Sequence, residues 1–377
     1  MTPPPLSPMS LEVADPEEIG IDPRRLDILL RLAGLAVEHG PLPSAQLAVA
    51  RHGRLAAARS WGAASPRYLL QSVGRSIVAG AIWKLIGEGR IDVSATVASV
   101  VPEFAANGKQ DVTIEQVLTH TAGFPFAPLG YPKMADRELR LAAFAKWRLD
   151  WEPGSRLQWH LTSAAWLLAE LVERVSGKPL PDHLRTEIAE PLGLDCALGV
   201  SPEEQKETVA PMVCTDGDGS EVDPWGPWYL DNPDIVAAGE PAHSVVSSAA
   251  SLALYYQALL HSPLWAPGTV HDAVRARVTA VPAGDPQYGG GTTPTGVGLF
   301  VVVAGEAPGR GLPSVGSAKT FGNSGAPCQM GFCDPVSGIS FAWLTNGYPS
   351  SGYDRSPRAQ ALMTNLANLA ADLAADG

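Results

Sequence analysis

Apolar runs of strand length gather near the two ends of this chain, and a long, mostly helical middle separates them. Near the start, Ser44-Ala-Gln-Leu-Ala-Val-Ala-Arg and the run from Arg54 to Ala58 flank His52-Gly53, a turn pair that predicts a hairpin. A short apolar piece, Tyr68-Leu-Leu-Gln, leads into Ser72. Near the end, 297–303 reads as one strand, and Cys328–Cys333 and Ile339–Thr345 flank Asp334-Pro335-Val-Ser-Gly338 as a second hairpin. Helical periodicity covers about 22–38, 77–87, 161–175, 247–260 and 356–373. The third of these stops at Ser176-Gly177, a helix C-terminal signal. Strands this far apart in sequence share a sheet only if the chain closes on itself. The pattern therefore predicts an α+β fold: an antiparallel sheet flanked by helices, with an all-helical insertion. The expected division is an α/β part from 1–90 and 290–377 and a helical part over 91–289, with 200–245 as a long irregular loop forming a pocket wall.

Composition narrows the function classes. Hydrophobic residues are 45% of the chain, enough for a sizeable core, and 38 glycines with 34 prolines stay below the ~25–30% that marks disorder. The net charge of −12 opposes nucleic-acid binding, which needs a basic footprint. Four cysteines without a Cys-x-x-Cys pair exclude a disulfide scaffold and a zinc ribbon. No stretch approaches the ~20 apolar residues that span a bilayer. The opening Met-Thr-Pro-Pro-Pro has no signal-peptide character, so the expected location is cytoplasmic, away from membranes. No phosphate loop, nucleotide fingerprint or metal-ligand spacing is present, and no cofactor is expected.

Four segments carry a more specific signal. They are Gln71-Ser72-Val-Gly-Arg75, then Val112-Thr-Ile-Glu-Gln-Val-Leu-Thr-His120-Thr-Ala-Gly123-Phe-Pro, then Glu152-Pro-Gly-Ser-Arg-Leu-Gln-Trp159-His160, and Phe321-Gly-Asn323-Ser-Gly325. In this order and spacing they resemble the serine β-lactamase and penicillin-binding-protein superfamily, in its class C-like esterase branch, across roughly 20–375. The resemblance implies a β-lactamase/DD-peptidase-like fold. It also implies a serine that attacks an ester or amide carbonyl while backbone N–H groups hold the oxyanion. Ser72 matches that nucleophile, at a helix start whose dipole favours developing negative charge.

The departures are chemical. Arg75 stands at the family's lysine, and a guanidinium with a pKa above ~12 cannot take the serine proton. Trp159 stands at the tyrosine, and an indole N–H only donates. Asn323 stands at the histidine or lysine and brings no charge. Arg75 is then an electrostatic partner, and Trp159 and Asn323 are substrate contacts. A histidine is left as the base, with His160 and His243 as candidates and His120 as a structural residue. Ser324, Gly325, Tyr131, Phe124, Trp225 and Trp228 are expected to contact a small-molecule substrate. The leading expectation is acyl transfer or hydrolysis of a small ester, lactone or amide. Two readings stay beside it: a biosynthetic cyclase, isomerase or eliminase that forms no acyl-enzyme, and a binding protein with an inactive site. The oligomeric state is not legible in the sequence.

Overall fold

The structure, a computed structural model, describes residues 8–63, 65–216, 232–284, 291–306, 311–325, 328–348 and 356–374. Helix α1 (Pro23–Glu38) begins where Asp22 accepts the backbone N–H groups of Arg24 and Arg25 and Pro23 fills the first helical position. Strands β1 (Ser44–Arg51) and β2 (Arg54–Gly62) pair antiparallel through the two-residue turn His52-Gly53. Both turn residues take positive φ, 53° and 76°, the twist that a tight hairpin requires. Helix α2 (Arg75–Gly87) follows, then α3 (Ser163–Ser176) and α4 (Ala249–His261). Strands β3 (Val278–Ala280), β4 (Thr295–Val297), β5 (Val302–Val303), β6 (Phe321–Gly325), β7 (Gln329–Cys333) and β8 (Ile339–Thr345) and helix α5 (Pro357–Ala371) complete the main elements.

One eight-stranded antiparallel sheet organises the fold, in the order β2-β1-β8-β7-β6-β5-β4-β3. The last strand, β8, lies between β1 and β7, with Ala48 opposite Ala342, so early and late segments of the chain meet inside the sheet. All seven residues of β8 are buried, and their alternation separates two cores. Ile339, Phe341 and Trp343 face α1 and α5 together with Leu29 and Leu366. Ala342 and Leu344 face the α2 and α4 side with Ile77, Ile82 and Tyr255. Ser340 on that second face is satisfied by α4, donating to the Ala253 carbonyl at 2.8 Å. Both α4 and β3 come from inside 91–289, yet α4 packs against β1, β8 and β7, and β3 closes the sheet's edge.

The expected single strand over 297–303 is two strands. Phe300 takes φ 69° between them and donates its N–H to the Leu118 carbonyl at 2.9 Å, so the chain turns there instead of continuing extended. Among the described residues no helix is long and apolar enough to cross a membrane.

Candidate functional site

The site begins where a strand hands over to α2. Residues Tyr68–Leu69 pair with Val246–Ser247, and Leu70 donates to the Val245 carbonyl at 2.8 Å. Gln71 then takes φ 51°, a sharp reversal, and Gln71–Gly74 forms a 3-10 turn that runs into α2. Ser72 stands on that turn, half-buried, while the α2 residues from Arg75 to Trp83 are buried. The 3-10 turn takes up donors that a helix start usually leaves open: the Val73 N–H bonds the Leu70 carbonyl at 3.2 Å and the Arg75 N–H bonds the Ser72 and Val73 carbonyls. The end of β6 closes on this point. A Cβ added to Gly325 would lie 3.2 Å from the Ser72 nitrogen and 3.1 Å from the Leu70 carbonyl oxygen. Gly325 is thus a contact between the sheet and the serine turn, whereas the sequence offered it as a substrate contact.

Arg75 follows Ser72 by three residues, on the same helical face. Its Nη2 donates to the Leu161 carbonyl at 2.8 Å and lies 3.3 Å from His243 Nε2, and its guanidinium carbon is 5.9 Å from the Phe300 ring centre. A guanidinium only donates, so His243 Nε2 is the acceptor and the ring proton sits on Nδ1. That Nδ1–H donates to Glu240 Oε2 at 3.0 Å. Glu240 Oε2 also accepts the Ala242 N–H at 3.1 Å, and its side chain has no exposure. The result is a carboxylate–imidazole–guanidinium chain leading to the Ser72 turn. Burial pushes the His243 pKa below its usual value; Glu240 opposes that shift and Arg75 adds to it. Sequence reasoning missed Glu240. The signal available was its i,i+3 spacing to His243 within Gly239-Glu-Pro-Ala-His243.

Several expected site residues have other duties. His160 is fully buried; its Nδ1 donates to the Gln158 carbonyl at 2.8 Å and its Nε2 accepts the Phe124 N–H at 3.0 Å. Both ring nitrogens are committed to backbone groups, which corrects its candidacy as a base. Burial lowers its pKa to about 4. His120 accepts the His160 N–H on Nδ1, takes φ 58° and is held neutral by burial and by the nearby Arg75 charge. Trp159 is half-buried with its ring edge-on to His120, centroids 5.0 Å apart. Asn323 does not offer its amide N–H₂ to a substrate: Nδ2 donates to Ser76 Oγ at 2.9 Å, with the Phe300 carbonyl at 3.4 Å. Ser76 lies one helical turn beyond Ser72 and is also bonded to the Tyr256 hydroxyl at 2.8 Å.

Two substrate-contact expectations are corrected outright by position. Phe124 is fully buried among Phe104, Trp147 and His160. Ser324 falls on the strand face opposite Asn323 and Gly325, with its side chain beneath Gly311. Tyr131 holds Asp234 Oδ2 at 3.3 Å, tethering the short helix Pro233–Ala237 that precedes Glu240. Trp225 and Trp228 lie outside the described residues. An open groove of about 580 Å³ between Phe126, Lys146, Arg148, Trp151 and Arg156 includes none of the expected site residues. Cys328 and Cys333 sit in opposite cores, with both thiols pushed up by burial.

Comparison with known proteins agrees with this geometry. Esterase EstB of Burkholderia gladioli is 28% identical, over 90% of this chain and 95% of its own length. A putative D-alanyl-D-alanine carboxypeptidase of Escherichia coli (strain K12) is 24% identical, over 89% and 85%. A penicillin-binding protein homologue from Caulobacter crescentus superposes with a TM-score of 0.75 at 25% identity, covering 92% of this chain and 97% of that one. A family VIII carboxylesterase superposes with a TM-score of 0.76 at 20% identity, over 92% and 98%. The family model described as Beta-lactamase matches residues 31–364, and with a Ser72 turn closed by β6 in the matching fold, this chain belongs to the beta-lactamase family.

Proposed function

We propose that this protein is a serine-dependent acyl-transfer enzyme. Ser72 Oγ takes the acyl group of a small ester, lactone or amide and passes it to water or to a second nucleophile. The observation that carries this reading is the placement of Ser72: half-exposed, on the turn that opens α2, with Gly325 of β6 packed against its backbone nitrogen. Negative charge that develops on the acyl oxygen there meets the positive end of α2 and the Arg75 cation nearby. The likeness to EstB and to the putative carboxypeptidase supports the same class of chemistry. Because position 75 carries a guanidinium, the site favours acyl donors with good leaving groups over unactivated amides.

A second reading draws on Arg75 as well. In the resting arrangement its Nη2 occupies the His243 lone pair. A pocket so arranged polarises a carbonyl by fixed donors and suits a cyclisation, isomerisation or elimination without an acyl-enzyme. The two readings separate on one experiment. The protein is mixed with p-nitrophenyl acetate, quenched, and mapped by peptide mass spectrometry. Acetyl on the Ser72 peptide, absent in Ser72→Ala, is expected. A folded wild-type protein that releases nitrophenol with no acetyl on Ser72, and a Ser72→Ala variant equally active, would transfer the conclusion to the second reading.

A further inference from the structure

Acylation of Ser72 releases a proton, and the positions the family uses to manage it are filled here by Arg75, Trp159 and Asn323, none of which can accept it. The other titratable groups around the turn are engaged. Both His160 nitrogens hold backbone groups. His120 Nδ1 accepts a backbone N–H. The Tyr255 hydroxyl donates to the Ser76 carbonyl at 2.7 Å, and the Tyr256 hydroxyl lies between Ser76 Oγ and the Gly331 carbonyl. Both phenols are raised by burial, so neither forms a phenolate.

We infer that His243 is the general base of this site and that Glu240 is its positioning residue. The inference rests on the acyl-transfer reading above. Residues 243–245 run alongside the nucleophile turn: Leu70 bonds the Val245 carbonyl, and a Cβ on Gly74 would meet the Val245 side chain at 2.8 Å. Glu240 fixes the Nδ1–H tautomer, which turns the Nε2 lone pair toward α2. The remaining oxygen of Glu240, Oε1, is buried with no hydrogen-bond partner among the described residues. That oxygen pairs poorly with a neutral ring and gains when the ring becomes an imidazolium. Among the described residues, the charged groups that act on His243 are Glu240 from its own turn and Arg75 from α2.

Arg75 Nη2 leaves His243 Nε2 for the acyl oxygen of the bound donor and keeps its bond to Leu161. The Ser72 Oγ–H proton passes to Nε2 as Oγ bonds the acyl carbon. The imidazolium, held by Glu240, gives that proton to the departing oxygen, nitrogen or sulfur as its bond to carbon breaks. Water or another nucleophile repeats the sequence in reverse and returns the serine.

The test measures the pH dependence of single-turnover Ser72 acetylation by p-nitrophenyl acetate in wild type, His243→Gln, His243→Ala and Glu240→Gln. Glutamine at 243 can still accept from Arg75 and donate to Glu240, so it keeps the clamp and removes the base. A fall of ~10²–10⁴-fold in His243→Gln is expected, the usual worth of a general base. Partial recovery of His243→Ala with added imidazole is expected too. In Glu240→Gln the acid limb should move to lower pH, because the carboxylate that supports the imidazolium is gone. If His243→Gln acetylates Ser72 within threefold of wild type, or if the acid limb survives unchanged in it, His243 is not the base although Ser72 remains the nucleophile. An absence of acetyl on wild-type Ser72 instead removes the acyl-transfer reading itself. Thermal unfolding of each variant identifies a folding defect, and imidazole rescue of His243→Ala reports on a folded site only.

Discussion

Asn323 Nδ2 lies 2.9 Å from Ser76 Oγ, one turn of α2 past Ser72. The side chain that the sequence offered as a substrate contact therefore pins sheet to helix instead. Ser76 Oγ is simultaneously bonded to Tyr256, so three elements meet at one buried hydroxyl. Replacing Asn323 by Ala removes one bond of this set. We expect a stability loss of ~1–3 kcal/mol, measured by urea unfolding, with Ser72 acetylation falling less than tenfold. A loss of acetylation far beyond tenfold at unchanged stability would instead place the Asn323 oxygen against the substrate.

Arg75→Lys exchanges a group that stays charged for one that titrates. Burial among α2, Leu161 and His243 draws a lysine amine below its usual ~10.4. The variant is expected to acquire an alkaline rise in acetylation rate as this amine loses its proton, a limb that position 75 cannot give in the wild type. Stopped-flow measurements from pH 7 to 10 check it. Identical alkaline profiles for the two proteins would show that a group at 75 takes no part in proton transfer.

Gly325→Ala places a methyl group 3.1–3.2 Å from the Leu70 oxygen and the Ser72 nitrogen, closer than ordinary contact. The turn must shift by a few tenths of an ångström. Small misplacements of reacting groups are expensive, up to ~10²-fold for 1 Å. A decrease of about tenfold in kcat with only a small change in Tm is the expected result. A large drop in Tm with kcat preserved would make this contact one of packing alone.

Stability should depend on pH through the buried imidazoles. The His160 pKa is lowered from its ordinary 6.5 to about 4 by burial. Between those values the unfolded chain binds a proton that the folded chain excludes, so stability is present above the unfolded pKa and is lost as pH falls from about 6.5 toward about 4. His120 and His243 shift in the same direction. Urea unfolding at pH 7, 6, 5 and 4 should show a decline of a few kcal/mol, and His160→Gln should reduce its slope by about one proton. An unchanged slope in that variant would contradict a neutral, buried His160.

Glu170 on α3 has no side-chain exposure and accepts from Arg137 Nη2 at 2.6 Å and Arg174 Nε at 2.7 Å. Without it each arginine keeps one further carboxylate, Glu173 at 3.2 Å from Arg137 and Glu103 at 2.8 Å from Arg174. Glu170→Ala is expected to cost ~1–3 kcal/mol in urea unfolding. A cost under ~1 kcal/mol would mean that solvent replaces the carboxylate freely.

The fold was largely legible because local chemistry and global pattern coincide. His52-Gly53 makes the hairpin that its turn chemistry demands, and Gly177 stops α3 at φ 77°. Phe300 shows where the pattern misleads. Apolar residues from Val297 to Val303 suit an extended strand, but the Gly298 N–H bonds the Val301 carbonyl at 2.9 Å and the distant Ala273 and Leu118 carbonyls take the Leu299 and Phe300 N–H groups, so the chain turns. The site divides in the same way. Ser72 stands out from motif and spacing, whereas the close approach of Gly325 to its backbone nitrogen shows only in the fold. His160 looks like a catalytic histidine in sequence, since the carbonyl and N–H that occupy it are brought there by the fold. Glu240 is passed over for the converse reason: a buried carboxylate is meaningful only once its imidazole partner is in place.

The central position of β8 has a bearing on biosynthesis. The interior strand that joins β1 to β7 is residues 339–345, and Asp22 near the start bonds the Leu373 carbonyl near the finish. A ribosome must translate residues 63–338 before the early hairpin finds its neighbour. Until then its apolar flank is open, so a nascent chain of this kind depends on holding factors more than one whose domains close in the order they emerge.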